Sequence, residues 1–253
     1  MAERIAAAER ADRLVAWLTE RLATSGARGF VFGLSGGIDS AVVSRLCQLA
    51  APEHVLGVLL PCHSDPQDER DARLVAEAFG IPVARVDLGA TFDTLTDTVE
   101  RAVDGLGHAA GVIDIRQQMP RANVKPRLRM TTLYLVANAL NYLVVGTGNR
   151  SEITIGYYTK YGDGGVDLLP IGGLVKSEVR AVAQALGVPQ AILDKAPSAG
   201  LWLGQTDESE MGFTYAMLEQ YLENPTSVAP DVARRIERLR AASDHKRAMP
   251  PVG

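Results

Sequence analysis

The chain has 253 residues, a formal net charge of −4 at pH 7 and a 47% share of hydrophobic residues. No internal repeat or linker-like composition interrupts it, so we expect a single domain over residues 1–253. The acidic balance argues against nucleic-acid binding through a basic surface. No apolar run approaches the roughly 18 residues that a membrane-spanning helix needs. Cys47 and Cys62 stand alone, so neither a disulfide framework nor a Cys-x-x-Cys site is expected.

The first predicted element is a helix over residues 4–23, where apolar side chains recur at helical spacing. Charged residues break up the alanine-rich start of this segment. We therefore expect an amphipathic helix there rather than a signal peptide, and a cytoplasmic location follows by default.

A strand, a glycine turn and a helix are predicted next, in immediate succession. The apolar run at residues 30–34 is long enough for one buried strand, and Gly36 and Gly37 then allow a sharp turn. A helical pattern opens at Asp39. This arrangement aims free backbone N–H groups and the positive end of a helix at one point, which suits an anion.

Three motifs compete for this turn, beside the simpler interpretation that it only connects strand to helix. A Walker A loop is excluded because no Gly-Lys-Ser/Thr follows. Residues 33–37 fit the G-x-S-x-G nucleophile elbow, with Ser35 as the nucleophile. The longer and more specific pattern is the pyrophosphate-binding loop S-G-G-x-D-S of ATP pyrophosphatases. The chain resembles that loop at Ser35, Gly36, Gly37, Ile38, Asp39 and Ser40.

Strand and helix patterns alternate along the rest of the chain. Further strands are predicted at residues 54–60, 83–88 and 143–145. Further helices are predicted at residues 68–80, 91–103, 121–141, 177–186, 189–195, 211–222 and 230–239. This alternation predicts an α/β fold, a single doubly wound parallel sheet with helices on both faces and right-handed crossovers.

Three loops follow predicted strands, at residues 35–40, 61–67 and 146–152. Ligands of doubly wound sheets bind outside the carboxyl ends of the strands, so these loops are expected to share one rim. The glycine-rich segment 156–176 carries three tyrosines and several aliphatic residues that favour burial. We expect an ordered, functional loop there.

The order and spacing of several motifs resemble those of NAD synthetases, specifically the ammonia-dependent type. The resemblance runs from about residue 29 to about residue 250, and the segment 159–165 (TKYGDGG) is its most selective part. Beside the loop at 35–40 it rests on residues 123–130, 146–148, 151–152, 158–167, 169–171, 176, 195–198, 205–208 and 245–246.

The resemblance implies conversion of nicotinic acid adenine dinucleotide (deamido-NAD) to NAD with ATP and ammonia. A carboxylate does not react directly with ammonia, because oxide is a very poor leaving group. Transfer of AMP to the nicotinate carboxylate forms a mixed anhydride and releases pyrophosphate, and ammonia then displaces AMP. Mg²⁺ is the implied cofactor and ATP a co-substrate. No general base is evident, so binding and desolvation of ammonium are expected to lower its pKa.

The resemblance also implies which residues serve the nucleotide end of the site. Asp39 and Lys176 match catalytic positions, and Asp39 with Glu152 matches the Mg²⁺ carboxylates. The implied ATP-binding residues are Gly33, Leu34, Ser35, Gly36, Gly37, Ile38, Asp39, Ser40, Thr147, Lys176 and Ser198. Taken without the family, Asp39 is equally well a helix N-cap, Glu152 a surface residue and Lys176 a solvated lysine.

The implied deamido-NAD-binding residues are Arg127, Lys160, Asp167, His245 and Lys246. Taken without the family, Arg127 and Arg129 fit a solvated helix face. The family usually forms homodimers, and the helix at 121–141 and the N-terminal helix are plausible interface elements. Residues 59–64 depart from the family pattern, so we assign no adenine contact there.

The sequence also bears on the nitrogen source and on the alternative functions. The sequence has no room for a glutaminase domain, so free ammonia, or ammonia from a separate glutaminase, is implied. Another ATP pyrophosphatase that activates a different acid is the main alternative. A serine hydrolase using Ser35 with His245 and a nucleotide sensor without catalysis are the others.

Overall fold

A parallel sheet forms the centre of the computed structural model, which describes residues 2–104, 118–197 and 206–253. Its strands are β1 (Gly29–Gly33), β2 (Val55–Leu59), β3 (Val83–Arg85) and β4 (Tyr142–Val144). All pairings are parallel, and the strand order is β3-β2-β1-β4. The predicted doubly wound α/β fold is confirmed. The chain fills one side of β1 first and then crosses to β4 on the other side, so β1 and β4 flank the switch point.

Helices occupy the segments between and after the strands. They are α1 (Ala2–Ser25), α2 (Ile38–Ala50), α3 (Pro66–Phe79), α4 (Gly89–Asp104), α5 (Gln118–Ala122), α6 (Val124–Leu140), α7 (Arg150–Ile155), α8 (Lys176–Ala185), α9 (Gln190–Leu193), α10 (Asp207–Met211), α11 (Tyr215–Glu223), α12 (Pro230–Ala242) and α13 (Asp244–Arg247). Within the described ranges, no helix has both the length and the apolar character that crossing a bilayer requires.

Side chains of β1 alternate between two apolar cores. Phe30 and Phe32 are fully buried in one cluster, which α1, α2 and α8 cover. Val31 points to the opposite face, where α4 and α6 pack. This period of two places helices on both faces of the sheet, and it explains why the strand is apolar at every position from Phe30 to Phe32.

A third apolar cluster joins α7 to the C-terminal helices. Ile155 packs there with Met211, Leu218 and Ile236, and all four side chains are buried. The helices α11 and α12 both contact α7. Short helix α7 is therefore anchored by a core of its own, separate from the two cores on the sheet.

Several boundaries differ from those expected. The loop expected at 146–152 ends early, because α7 begins at Arg150, where Asn149 and Glu152 form a capping box. The helix expected at 211–222 begins only at Tyr215, as α11, and α10 precedes it as a separate short helix. Gly212 ends α10 in the left-handed conformation at φ 79°, and the Thr214 side chain then caps α11.

The segment 156–176 is held against the edge of the sheet. Leu168 forms an isolated parallel bridge with Val145, and the Gly146 N–H donates to the Leu168 carbonyl at 2.8 Å. These contacts extend the sheet edge by one short stretch beyond β4. They order the loop, as its apolar content predicted.

Truncation of a buried leucine on α2 tests the main core. Leu46 is fully buried, whereas Leu49 on the same helix is 40% exposed. We expect Leu46→Ala to lower the free energy of unfolding by about 2–5 kcal/mol, because it removes buried apolar surface and leaves a cavity. Leu49→Ala is the matched control and is expected to change it by much less. Urea denaturation measures both, and equal losses in the two variants would contradict this description of the core.

Candidate active site

A cavity of about 1150 Å³ opens at the carboxyl ends of the strands. The loops after β1, β2 and β4 all contribute to its wall, through residues such as Ser35, His63 and Thr147. The shared rim predicted from the sequence is therefore confirmed. The volume exceeds the roughly 300–1,000 Å³ of a typical small-molecule site, which leaves room for more than one nucleotide.

The turn after β1 depends on glycine at position 36. Gly36 has φ 77°, and a Cβ there would lie 2.5 Å from the Asp68 carbonyl oxygen on α3. Two serines then brace the turn, since Ser35 Oγ lies 3.1 Å from Ser40 Oγ, and Ser40 Oγ donates to the Gly37 carbonyl at 2.9 Å. The turn is thus shaped by its own contacts and by close packing against α3.

The N-terminus of α2 faces the cavity behind this turn. Helix α2 begins at Ile38, with Gly37 at the N-cap position. The first backbone N–H groups of a helix have no partner within the helix and carry the positive end of its dipole. The predicted loop residues on the cavity wall are Gly33, Leu34, Ser35, Gly37, Ile38, Asp39 and Ser40, whereas Gly36 packs against α3. The arrangement suits a phosphate group.

Lys176 lies between two carboxylates at the edge of this turn. Its Nζ is 2.5 Å from Asp39 Oδ2 and 3.6 Å from Glu152 Oε1, and all three side chains are at most 18% exposed. Asp39 is in the first turn of α2, Glu152 in α7 and Lys176 at the start of α8. Asp39 is therefore not the helix N-cap, Glu152 is not a surface residue, and Lys176 is not solvated.

Asn149 connects the turn after β4 to the same group. Its side-chain amide donates to Asp39 Oδ1 at 3.1 Å, and its side-chain oxygen caps α7 through the Glu152 N–H at 3.0 Å. Asn149 is fully buried. The sequence analysis missed this residue, although the spacing Asn-x-x-Glu at 149–152 is a capping-box signal.

The charges in this group shift one another's pKa values. Burial, followed by the neighbouring charge of Asp39, raises the pKa of Glu152, while Lys176 opposes that rise. Burial lowers the pKa of Lys176, but the attraction of Asp39 and Glu152 outweighs it, and the pKa rises. The lysine is accordingly a permanent cation that two acids share.

Two carboxylates facing one cation are a suitable start for a Mg²⁺ site. Asp39 and Glu152 both direct an oxygen at the ammonium of Lys176, so a cation already stabilises their approach. Mg²⁺ commonly takes one or two carboxylates and completes its shell with phosphate oxygens and water. In the described part of the chain no group of three or more metal-ligating side chains occurs. The donor set fits an ion that arrives together with a phosphate.

Asp207 adds a further buried carboxylate that the sequence analysis did not assign to the site. It is 4% exposed, lies on the cavity wall, and accepts a hydrogen bond from Tyr215 Oη at 2.8 Å on Oδ2. Its Oδ1 is buried without a hydrogen-bond partner in the described residues. Tyr215 Oη also lies 3.4 Å from Glu152 Oε1, which links the two acids. No local pattern signals this burial.

Cations line the cavity beyond this cluster. Arg129 donates to the Leu60 carbonyl at 3.1 Å and to Ser64 Oγ at 3.2 Å, and burial lowers its pKa. Without the family, Arg129 was expected on a solvated helix face together with Arg127. The structure does not place Arg129 on such a face. Lys246 also lines the cavity, and its Nζ donates to the carbonyls of Gly156 at 2.7 Å and Tyr158 at 2.5 Å.

Four of the five residues implied for deamido-NAD lie outside the cavity wall. Arg127 is exposed and its Nε donates to the Lys160 carbonyl at 3.3 Å, while Lys160 Nζ contacts the carbonyl of His245, which is exposed. Asp167 lies at the sheet edge, where its carboxylate accepts from Tyr134 Oη and from a β4 backbone N–H. These assignments stay predictions, and Lys246 alone of the five is on the wall.

Two remaining expectations have different outcomes. Thr147 lies on the cavity wall beside the turn after β4. Ser198 lies outside the described residues. The serine-hydrolase alternative has no support in the geometry, because Ser35 is on the cavity wall and His245 is not.

Together the parallel sheet, the glycine turn at its switch point and the buried lysine with two acids define a nucleotide-binding fold of the ATP-pyrophosphatase type. Comparison with known proteins narrows this class. The family model described as NAD synthase matches residues 10–250. The NH(3)-dependent NAD(+) synthetase of Carboxydothermus hydrogenoformans is 48% identical over 244 residues, which cover 96% of this chain and 96% of that protein.

Two solved structures are similar over nearly the whole chain. NMN synthetase from Francisella tularensis superposes with a TM-score of 0.88 at 36% identity and 97% coverage of both chains. NH3-dependent NAD synthetase from Campylobacter jejuni, solved with the nitrate ion, has a TM-score of 0.78 at 26% identity, with 96% of this chain and 97% of that chain covered. The chain belongs to the NAD synthase family, as the motifs predicted.

Burial of Asp207 is expected to make the free energy of unfolding depend on pH. Burial, the largest influence, raises the pKa of Asp207 above its ordinary value. A carboxyl with a raised folded-state pKa binds more protons folded than unfolded, so its contribution to stability falls as pH rises above about 3.9, its unfolded value. We expect Asp207→Asn to be more stable than the parent at pH 7, with the difference shrinking towards pH 4.

Urea denaturation at several pH values measures this difference. The asparagine retains an oxygen for the Tyr215 hydroxyl and removes the charge. Asp97→Asn on the exposed face of α4 is the control and is expected to show no such trend. An Asp207→Asn protein that is less stable than the parent at pH 7, or equally so at all pH values, would contradict the argument.

Proposed function

We propose that this chain is an ammonia-dependent NAD synthetase. It transfers AMP from ATP to the nicotinate carboxylate of deamido-NAD, and ammonia displaces AMP to give NAD, AMP and pyrophosphate. The observation that carries the proposal is the Asp39–Lys176–Glu152 group, which lies beside the preformed turn after β1. We call this turn, residues 35–40, the phosphate turn. Family membership over residues 10–250 supports the choice of reaction.

The turn and Lys176 serve the triphosphate in this proposal. A helix N-terminus contributes about 0.3–1 kcal/mol per charge at an exposed site and up to about 2 in a favourable one, which is too little for a group with several charges. Lys176 supplies a fixed cation that stabilises charge developing on phosphorus as AMP is transferred. Thr147 and Ser198 are proposed as further ATP contacts.

Mg²⁺ is the proposed cofactor, held by Asp39 and Glu152. When bound, it neutralises phosphate charge that the turn and the lysine leave uncompensated. Asn149 orients Asp39 and Glu152 at once, since it hydrogen-bonds the first and caps the helix that carries the second. The chain thus holds both carboxylates in place before the nucleotide arrives.

The dinucleotide is proposed to bind at the other end of the cavity. Lys246 reaches the wall from the C-terminal segment, and Arg127, Lys160 and His245 form a connected group behind it. Lys160 can neutralise an anionic group of the substrate, and Asp167 can hydrogen-bond it. A second candidate acceptor is nicotinate mononucleotide, because the similar Francisella structure is an NMN synthetase.

Ammonia is proposed to act as the free nucleophile. Desolvation in the cavity favours neutral ammonia over ammonium. Holding it next to the activated carbonyl is worth roughly 7–11 kcal/mol in favourable cases. Either free ammonia or a separate glutaminase is the proposed nitrogen source in the cell.

Product analysis tests this function directly. Purified protein is incubated with ATP, Mg²⁺ and ammonium, with deamido-NAD in one sample and nicotinate mononucleotide in another. We expect NAD, AMP and pyrophosphate in equal amounts from deamido-NAD, and no product when Mg²⁺ is omitted. Glutamine in place of ammonium is expected to give none.

Each alternative product has a distinct meaning. ADP with phosphate would exclude adenylation of the carboxylate. Preferential amidation of the mononucleotide would retain the chemistry and change the substrate. No amide from either acid would refute the proposed reaction.

A homodimer is the proposed assembly. Helix α6 buries Leu133 and Ala137 towards the sheet, yet Leu135 on its outer face is 71% exposed. An exposed leucine at mid-helix favours contact with a second copy of the chain. We expect Leu135→Glu to convert the dimer to a monomer, because it places a charge in the interface. Light scattering after size-exclusion chromatography measures the mass.

The matched control is Leu49→Glu, which places the same charge at a 40% exposed position on α2. It is expected to leave the dimer intact. A parent protein that is monomeric, or a Leu135→Glu protein that is still dimeric, would refute this interface.

A further inference from the structure

Lys195 forms a second, partly buried ion-pair group near the turn after β1. Its Nζ lies 2.8 Å from Asp68 Oδ1 and 2.6 Å from Asp71 Oδ2, and the residue lines the cavity. Burial opposes the charge, but hydrogen bonds to Asp68 and Asp71 raise the pKa of Lys195. The site thus has two lysines, each held by two carboxylates.

The two carboxylates that hold Lys195 also pack against the turn. A Cβ on Gly36 would lie 2.5 Å from the Asp68 carbonyl oxygen and 2.8 Å from Asp71 Cβ. The Asp71 side chain therefore connects the Lys195 ammonium to the turn. Asp68, Lys195 and the adjacent Ser35 share the cavity wall.

The sheet order places the two lysines on opposite flanks of the turn. Lys176 is tied to α7, which follows β4, whereas Lys195 is tied to α3, which follows β2. Strands β2 and β4 lie on either side of β1. A chain of phosphates lying across the turn would have one lysine at each side.

A triphosphate carries several negative charges, so it competes with Asp68 and Asp71 for Lys195. One lysine against Asp68 and Asp71 leaves a net charge of −1 beside a turn built for anions. Asp71 retains a partner when the lysine leaves, because its Oδ1 accepts from Gln67 Nε2 at 2.6 Å. The flexible four-carbon stem of lysine allows a movement of this kind.

We propose that Lys195 is a second phosphate-binding lysine, which leaves Asp68 and Asp71 to contact the terminal phosphates of ATP and the pyrophosphate that is released. The inference rests on the proposed function, since it assigns a role within the same triphosphate site. The two lysines then contact different parts of the phosphate chain. Lys176 serves the flank with Asp39 and Glu152, and Lys195 serves the flank with α3.

Calorimetric titration of the whole protein with pyrophosphate and with AMP, at fixed Mg²⁺, tests this role. We expect Lys195→Met to weaken pyrophosphate binding about tenfold or more, the size expected for one lost charge-assisted hydrogen bond, and to leave AMP binding unchanged. Asp68→Asn is expected to strengthen pyrophosphate binding, because it removes a competing carboxylate. Arg13→Met, at an exposed position on α1, controls for the loss of one positive charge.

Three results would overturn the inference. One is a Lys195→Met protein that binds pyrophosphate as tightly as the parent. Another is a result that indicates a purely structural ion pair. Equal loss of pyrophosphate and AMP binding would be such a result, and so would weaker pyrophosphate binding in Asp68→Asn. The third is a parent protein that binds no pyrophosphate, which would also refute the proposed function. The first two leave the proposed function intact.

Discussion

The ammonium of Lys176, held between Asp39 and Glu152, is the interaction on which the candidate site depends. It joins the first turn of α2, helix α7 and the start of α8 at the carboxyl end of β1. Burying any one of these charges alone would cost several kcal/mol, so each is stable there only because of the others. Asn149 completes the group with a hydrogen bond from its neutral amide to the Asp39 carboxylate, which fixes the orientation of Asp39.

The candidate site has more acidic than basic side chains. Asp207 and Glu152 both have raised pKa values, chiefly because burial disfavours their charged forms. Lys195 is likewise shared by two carboxylates. Such a site is costly for the folded protein and is suited to accepting cations. In the proposed reaction, Mg²⁺ that enters with the phosphates would supply the missing positive charge, and the phosphates would contact the two lysines.

The scaffold separates the closely packed parts of the site from the part that we propose for the second substrate. The phosphate turn is shaped by steric contact of Gly36 with α3 and by hydrogen bonds between its own serines. Helix α7 has an apolar core of its own with α11 and α12. By contrast Arg127 and His245 are exposed, and their contacts with Lys160 involve backbone carbonyls. This asymmetry fits a family whose similar members include both an NAD and an NMN synthetase.

The sequence by itself determined the fold class and the glycine turn after β1. Both follow from short patterns: apolar strands of fixed period, helical spacing, and glycines where the backbone must turn sharply. The family motifs named Lys176 and Glu152 without showing that they meet. Only the tertiary structure decided that Lys176 is buried against Asp39, 137 positions away, and that Asp207 is buried beside them. Local periodicity carries no information about such contacts, because packing of distant segments determines which charged side chains lose water.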